Sequence, residues 1–355
     1  MAQKTADMAD TDVIAPNFKR RLSGVTSTIV QLVPVQRRLG MGIAALGAGL
    51  PDQVAQLPWK AITGLARRPE GRKFRIWHAR RNTEMLAGIM LRDVFHLPLR
   101  LVFTSAAQRH HKPFTKWLIT RMDRVAATSS RSGSYLEVPH HVILHGIDLE
   151  RFHPPDDKAR AFAETGLPGR HAIGCFGRIR HQKGTDLFVD AMITLLPDHP
   201  EWTAVISGRV TAEHQGFAGD LKNRIARAGL SERIVFIGEV DDIRPWYRTI
   251  SLLVAPSRNE GFGLTPLEAM ASGVAAVTSD AGAYPDLVKT GQTGTTVTAG
   301  DGAALTEAIR PYLADPDLAR KQGKTALAHA RAHFAIEREA LALNTLYEEL
   351  WAEKE

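Results

Sequence analysis

Residues 256–273 read Pro-Ser-Arg-Asn-Glu-Gly-Phe-Gly-Leu-Thr-Pro-Leu-Glu-Ala-Met-Ala-Ser-Gly. They follow Ser251–Ala255, Ser-Leu-Leu-Val-Ala, an apolar run of the kind that forms a parallel strand buried on both faces. The Pro-Ser-Arg-Asn turn ends that strand. A helix is expected from near Gly263, through Leu267, Ala269 and Met270, to a stop at Gly273. Strand, glycine loop and helix in that order point free backbone N–H groups and the positive end of the helix dipole at one spot. Glycines let a ligand approach the backbone there, so the stretch reads as an anion site. Glu260 lies before the helix and Glu268 inside it, two turns from its start. Glycines ahead of a helix can be no more than a tight turn, but two carboxylates around the same loop favour a ligand.

A second loop of this kind lies upstream. Ala172–Phe176 is a strand, Gly177-Arg178-Ile-Arg-His-Gln-Lys183-Gly184 follows, and a helix is expected over Asp186–Leu196. Two cations five positions apart on a strand-to-helix loop suit a diphosphate, Arg178 as a planar fork and Lys183 as a point charge.

Strand–helix alternation continues in both directions and points to two doubly wound α/β domains. A chain of 355 residues suits two domains. In the first half, strands are expected at Asp12–Pro16, Gly42–Ala48, Phe74–Trp77, Arg100–Thr104, Asp123–Ser129 and His141–Leu144. Gly24 occupies the first turn, ahead of a helix over Val25–Arg38. His78, Arg80 and Arg81 fall at the carboxyl end of their strand, the ligand edge of such a sheet. Met85, Leu86, Ile89, Met90 and Val94 form a helical core stripe. Lys112–Arg124 mixes basic residues with Phe114, Trp117, Leu118 and Ile119; it reads as an amphipathic helix with its apolar face inward, and a membrane interface is the alternative. Pro154–Asp157 has linker composition. Further strands are expected at Trp202–Gly208 and Arg233–Gly238, and helices at Asp301–Leu313, Pro316–His333 and Ile336–Trp351.

Hydrophobic residues make up 44% of the chain and charged residues 23%, ordinary globular values. The single cysteine, Cys175, excludes an internal disulfide framework and sits in an apolar strand, where it reads as a core residue. Residues 1–12 are polar and do not read as a signal peptide, and no apolar run approaches the length of a membrane span. Residues 1–155 hold 23 Lys and Arg against 11 Asp and Glu, a net +12; the remainder holds 22 against 27, a net −5. The first domain therefore expects an anionic partner. Nucleic acid is disfavoured because no binding motif for it is present.

The motif Glu260-Gly-Phe-Gly-Leu-Thr-Pro-Leu-Glu268, with Glu-Ala-Met-Ala-x-Gly after it, resembles the signature of glycosyltransferase family 4. Gly177-Arg178-x4-Lys183-Gly184 resembles the same family's phosphate clamp. His145-Gly-Ile-Asp, leading to Phe152-His-Pro, resembles its Asn-Gly-Val-Asp crossing point with His145 in place of Asn. The resemblance implies a retaining GT-B enzyme: two Rossmann-like domains facing a cleft, residues 1–153 for the acceptor and 154–335 for the donor, with helix 336–355 crossing back to the first. It implies that Arg178, Lys183 and Glu260 carry the chemistry, Glu260 by holding the sugar hydroxyls, and that Glu268 binds ribose. Gly24, Ile237, Gly261, Phe262, Gly263, Leu264 and Thr265 would line the donor; Lys19, Arg20, Arg21, His78, Arg80 and Arg81 would meet the acceptor. Ser23-Gly24-Val25 resembles a Gly-Gly-Val loop with Ser in the first place. The sugar-proximal histidine of many members is Ser105 or Ala106 here, and His110 and His111 come later.

The basic first half resembles the lipopolysaccharide-core mannosyltransferases of alphaproteobacteria. That implies transfer of mannose from GDP-mannose to an anionic lipid A–Kdo acceptor, on the cytoplasmic side and peripheral to the membrane. A UDP-sugar-dependent transferase on another glycolipid and a nucleotide-sugar 2-epimerase are the alternatives. No cofactor or metal is expected. Asp315-Pro-Asp317 has the form of a metal motif but falls between two helices, where Asp serves as a cap.

Overall fold

The computed structural model describes residues 6–19 and 24–353. The chain divides into two compact units, residues 1–146 with 336–355, and residues 147–335. The sequence reading drew the line after residue 153; the units part after Gly146.

In the first unit the strands are β1 (Val13–Asn17), β2 (Ile43–Gly47), β3 (Gln56–Leu57), β4 (Arg75–Ala79), β5 (Leu99–Ser105), β6 (Arg124–Ala127) and β7 (His141–Val142). They form a parallel sheet in the order β3-β2-β1-β4-β5-β6-β7. Alternation along each strand feeds a core on either face: Val13, Ala15, Ile43 and Ala45 go to one, and Ile14, Ala44 and Leu46 to the other. Pro16 lacks an N–H yet sits in a central strand. It is tolerated because pairing with β4 covers only Val13 and Ile14.

The C-terminal helix Ile336–Ala352 belongs to this unit. Its buried stripe of Ile336, Ala340, Leu343, Tyr347 and Leu350 has helical spacing and joins the core around Val13. Each large side chain buried there is worth about 1.5–3 kcal/mol. Polar bonds fix its register: Gln36 Nε2 donates to Asn344 Oδ1 (2.8 Å), Trp351 Nε1 to the Phe74 carbonyl (3.0 Å), and Arg72 forks onto both Glu348 oxygens (2.7 and 2.6 Å).

In the second unit the strands are β8 (His171–Phe176), β9 (Trp202–Ser207), β10 (Ile234–Gly238), β11 (Leu252–Ala255), β12 (Ala275–Ser279) and β13 (Gly294–Val297). They run parallel in the order β10-β9-β8-β11-β12-β13. Cys175 is buried in β8, and burial pushes its thiol up to about 12, so it is an inert core residue.

Three expectations need correction. β4 runs on to Ala79, so His78 lies within the strand and not past its end. Of the stripe on the following helix, Met85 and Ile89 are buried, but Leu86, Met90 and Val94 face out. Within helix Pro113–Thr120 only Leu118 and Ile119 turn inward; Phe114 and Trp117 are exposed.

Candidate active site

In the second unit the chain leaves β8 for β9 on one side and β11 for β12 on the other. The loops after β8 and β11 therefore diverge from adjacent strands, which opens a crevice at their carboxyl ends. Those are the loops that carry Arg178, Lys183 and Glu260.

Lys183 ends a short turn, His181–Lys183, and Gly184 follows with φ +70°. A Cβ on Gly184 would strike the Pro256 carbonyl, so glycine is what lets the two loops touch. Across that contact Lys183 Nζ is ion-paired with Glu260 Oε2, both side chains being largely buried. Glu260 is held by more than the lysine. Its Oε1 accepts from the Gly261 N–H (3.0 Å), and its Oε2 from Tyr284 Oη (3.3 Å) and Ser257 Oγ (3.5 Å). A carboxylate with this many donors is fixed in place.

The glycine loop is built against the turn after β12. Gly263 has φ +87°, and a Cβ there would run into the Tyr284 ring and the Glu260 side chain. The Ala283 N–H bonds the Phe262 carbonyl at 3.1 Å. The helix begins at Thr265, two residues later than expected, because the left-handed Gly263 cannot be helical. Glu268 consequently lies in the first turn. Its Oε2 accepts from Tyr247 Oη at 2.6 Å. Burial raises the Glu268 carboxyl above its ordinary range, opposed by the Tyr247 hydrogen bond and by attraction to Lys183. Burial likewise drives the Tyr247 hydroxyl well up, with Glu268 adding to it, so Tyr247 remains a donor.

Gly261, Phe262, Leu264 and Thr265 all lie in this loop or at the helix start, with Phe262 buried. Arg178 is exposed; burial lowers the pKa of its neighbour Arg180, with the Arg178 charge adding to the effect. Ile237 is on the edge strand β10, at the same end of the sheet. The Gly208 N–H bonds the Gly238 carbonyl (2.8 Å) and the Ile179 N–H bonds the Arg209 carbonyl (3.1 Å), so the loops after β8, β9 and β10 are stitched together.

In the first unit Arg20 and Arg21 lie outside the described residues. Lys19 is exposed and Gly24 opens helix Gly24–Arg38. His78 and Arg80 are both buried in the first unit. The His78 ring has no exposed surface and both nitrogens are bonded, Nδ1 to Tyr347 Oη (2.6 Å) and Nε2 to Thr104 Oγ1 (2.7 Å). Arg80 is buried and donates to the His78 carbonyl at 3.2 Å. Arg81 forms a junction at this sheet's own switch point: it bonds Asn17 Oδ1 (3.0 Å), Glu84 Oε1 (2.5 Å) and Thr26 Oγ1 (2.9 Å). His111 Nε2 lies 3.4 Å from Ser105 Oγ, and the His110 ring meets Tyr135 edge-on at 5.2 Å. Asp315 Oδ1 caps its helix by accepting from the Asp317 N–H at 3.0 Å. Among the described residues no three His, Cys, Asp or Glu side chains gather as a metal site would need.

A family model described as glycosyl transferases group 1 matches residues 170–315, the stretch that holds Arg178, Lys183, Tyr247, Glu260, Glu268 and Tyr284. The lipopolysaccharide core biosynthesis mannosyltransferase LpcC of Rhizobium leguminosarum bv. viciae is 64% identical over 97% of this chain and 98% of its own length. The chain belongs to the group 1 glycosyltransferases. The lipopolysaccharide core biosynthesis mannosyltransferase LpsB of Rhizobium meliloti is 54% identical over 97% of this chain and 99% of its own. The structure of Anabaena HepE in complex with UDP aligns with a TM-score of 0.81 over 96% of this chain and all of that one. At 18% identity that likeness is one of fold, the GT-B fold of two Rossmann-like units.

Four residues around the Lys183–Glu260 pair escaped sequence reasoning: Tyr247, Tyr284, Arg258 and Asp186. Arg258 forks onto Asp186 and its backbone N–H bonds the Gln182 carbonyl at 2.9 Å, so it joins the Lys183 turn to the Glu260 loop. In sequence Arg258 reads as part of a turn, because its partner is 72 residues away.

Proposed function

We propose that this glycosyltransferase moves mannose from GDP-mannose onto an anionic lipid A–Kdo acceptor in lipopolysaccharide core biosynthesis, with retention at the anomeric carbon. The observation that carries the reading is near full-length identity to two proteins named as mannosyltransferases of that pathway. The Lys183–Glu260 crevice supplies a chemistry that suits it.

The bond from the anomeric carbon to the diphosphate breaks and a bond to an acceptor hydroxyl oxygen forms. The hydroxyl proton passes to the departing phosphate oxygen. Negative charge grows on the diphosphate as it leaves, and Arg178, Lys183 and the N–H groups of the glycine loop are the groups to carry it. Glu260, fixed by Gly261 and Tyr284, holds sugar hydroxyls, and Glu268, held by Tyr247, binds ribose. These cations do the work a metal would otherwise do, so we assign no metal to the reaction. No helix among the described residues is long and apolar enough to cross a membrane. We assign the enzyme to the cytoplasmic face of the inner membrane, as a peripheral protein whose basic half meets the phosphates and carboxylates of the acceptor.

The test is transfer from GDP-mannose, UDP-glucose, UDP-galactose and UDP-N-acetylglucosamine, with and without Kdo–lipid A, in EDTA. Acceptor-dependent turnover of GDP-mannose in EDTA is the expected result. Turnover of a UDP-sugar alone would overturn the donor, dependence on added metal the metal-free mechanism, and donor conversion without acceptor would favour an epimerase.

A further inference from the structure

We infer that the paired helices Asn82–Ile89 and Pro113–Thr120, with the turn Met90–Val94 between the first helix and β5, form the face by which this protein docks on an anionic lipid bilayer. The inference deepens the reading above by naming the surface through which a membrane-borne acceptor is reached, and it rests on that reading for the acceptor alone.

Eleven large hydrophobic side chains are exposed among the described residues; five are on these elements, Leu86, Met90, Val94, Phe114 and Trp117, and Phe95 directly follows the turn, all six between 37% and 64% exposed. Of the other five, Phe18 and Trp59 meet ring to ring at 5.8 Å, and Leu39, Val142 and Leu341 are single apolar residues of the kind a soluble surface normally carries. Leu86, Met90 and Val94 recur every four positions and form one stripe. Phe114 and Trp117 stack, with ring centroids 6.0 Å apart and planes 22° from parallel. The two helices lie side by side because they are pinned at both ends, by Asn82 Nδ2 to Thr115 Oγ1 (2.7 Å) and by Arg121 Nη2 to Asp93 Oδ2 (2.6 Å). The outward apolar side chains therefore belong to adjoining helices. A helix pair that leaves this much aromatic and aliphatic surface in water has a partner.

Charge selects the partner. Residues 82–124 hold seven Lys and Arg against three Asp and Glu. Arg109 and Lys112, at the start of the second helix, are exposed. Five of the seven cations are ion-paired, Arg92 with Asp93 and Asp123, Arg100 with Asp123, Lys116 with Glu137, Arg121 with Asp93 and Arg124 with Glu353, so these acids temper the surface without reversing its sign. Aromatic rings that bury one face, surrounded by long cationic side chains, match the boundary between acyl chains and anionic headgroups. A second copy of the chain would set this positive surface against itself.

The experiment is flotation with vesicles of phosphatidylcholine, alone or mixed with phosphatidylglycerol, and no acceptor lipid. The full chain should float with the mixed vesicles, less with the neutral ones, and less again in high salt. The double variant Phe114→Ser, Trp117→Ser should bind the mixed vesicles about tenfold or more weakly with an unchanged melting temperature, since both side chains are exposed. Lys112→Glu should do the same through charge alone. Unchanged flotation of both variants, or no flotation of the wild type, overturns the inference. So does conversion of a dimer to a monomer by the double variant with vesicle binding intact, which would make the face a self-association surface. Donor turnover, assayed separately with a lipid-free acceptor fragment, tests the transferase reading. Flotation without turnover would sink that reading and leave the docking face standing.

Discussion

Arg258 grips Asp186 with both guanidinium arms, Nη1 to Oδ1 at 2.8 Å and Nη2 to Oδ2 at 2.7 Å. Nη1 also reaches the His181 carbonyl at 2.8 Å. The fork thus joins the loop after β11, which carries Glu260, to the turn that carries Lys183. Arg258 is a positioning residue. Arg258→Ala should lower kcat about tenfold, the scale of one lost charged hydrogen-bond set. Arg258→Lys should recover little, because an ammonium cannot span both oxygens. Steady-state kinetics decides it: a kcat equal to the wild type in both variants would make the fork a packing feature.

The same pair has a pH signature. Burial alone would raise the Asp186 carboxyl, but hydrogen bonding and attraction from Arg258 more than offset it and hold it below the usual carboxylate range. A depressed folded-state pKa gives stability that is present above the unfolded value, near ~3.9, and lost as pH falls through the folded one. Asp186→Asn should therefore destabilise at neutral pH and converge with the wild type in acid. Melting curves across that range would show parallel lines if the pair contributed nothing.

Lys183→Ala tests the charge on the leaving group. Glu260 keeps the Gly261 N–H and the Tyr284 hydroxyl after the change, so the loop should stay folded. Loss of one preorganised charge at a developing anion costs about 100- to 1,000-fold in kcat. The expectation is that scale of loss with a melting temperature close to the wild type. Wild-type turnover would remove the diphosphate clamp from the mechanism.

Much of this site was legible because its chemistry is local in sequence. Glu260 and Glu268 flank one loop, Arg178 and Lys183 another, and the strands that present them are apolar runs that periodicity finds. What escaped was set by distance along the chain or by depth. Arg258 and Asp186 are 72 positions apart, and Tyr247 and Glu268 are 21. His78 was misjudged because two more residues of β4 keep it inside the sheet. Leu86, Met90 and Val94 have the right spacing for a core stripe, but spacing cannot say whether anything packs against them.

Glu268 lies the other way from Asp186. Burial raises its carboxyl, despite Tyr247 and Lys183. A raised folded-state pKa means that the folded protein holds the proton more tightly, so ionisation costs stability as pH rises above the unfolded value of ~4.3. Glu268→Gln should therefore melt higher than the wild type at neutral pH and, on the role proposed for it, bind donor about tenfold more weakly through loss of a carboxylate acceptor for ribose. Tyr247→Phe should weaken donor binding with no such gain in stability. Isothermal titration with GDP, alongside melting curves, separates the two effects; unchanged GDP affinity in both would remove Glu268 from the donor site.

His78 makes the last case. Burial pushes its pKa well below the ordinary histidine value, with the Arg80 charge adding to the effect, and Tyr347 and Thr104 take both ring nitrogens. The folded protein therefore binds fewer protons than the unfolded chain as pH falls below ~6.5, and stability drops with each proton the unfolded chain gains. One such group has a limiting slope of about 1.4 kcal/mol per pH unit. His78→Gln keeps a donor and an acceptor for the two hydroxyls but cannot titrate. It should be less stable than the wild type at pH above that value, because the longer amide fits the ring's place poorly, and should lose less on acidification. Denaturant titrations on either side of the histidine value read the slope directly. An identical slope in the variant would mean that another histidine sets the acid limit of this unit.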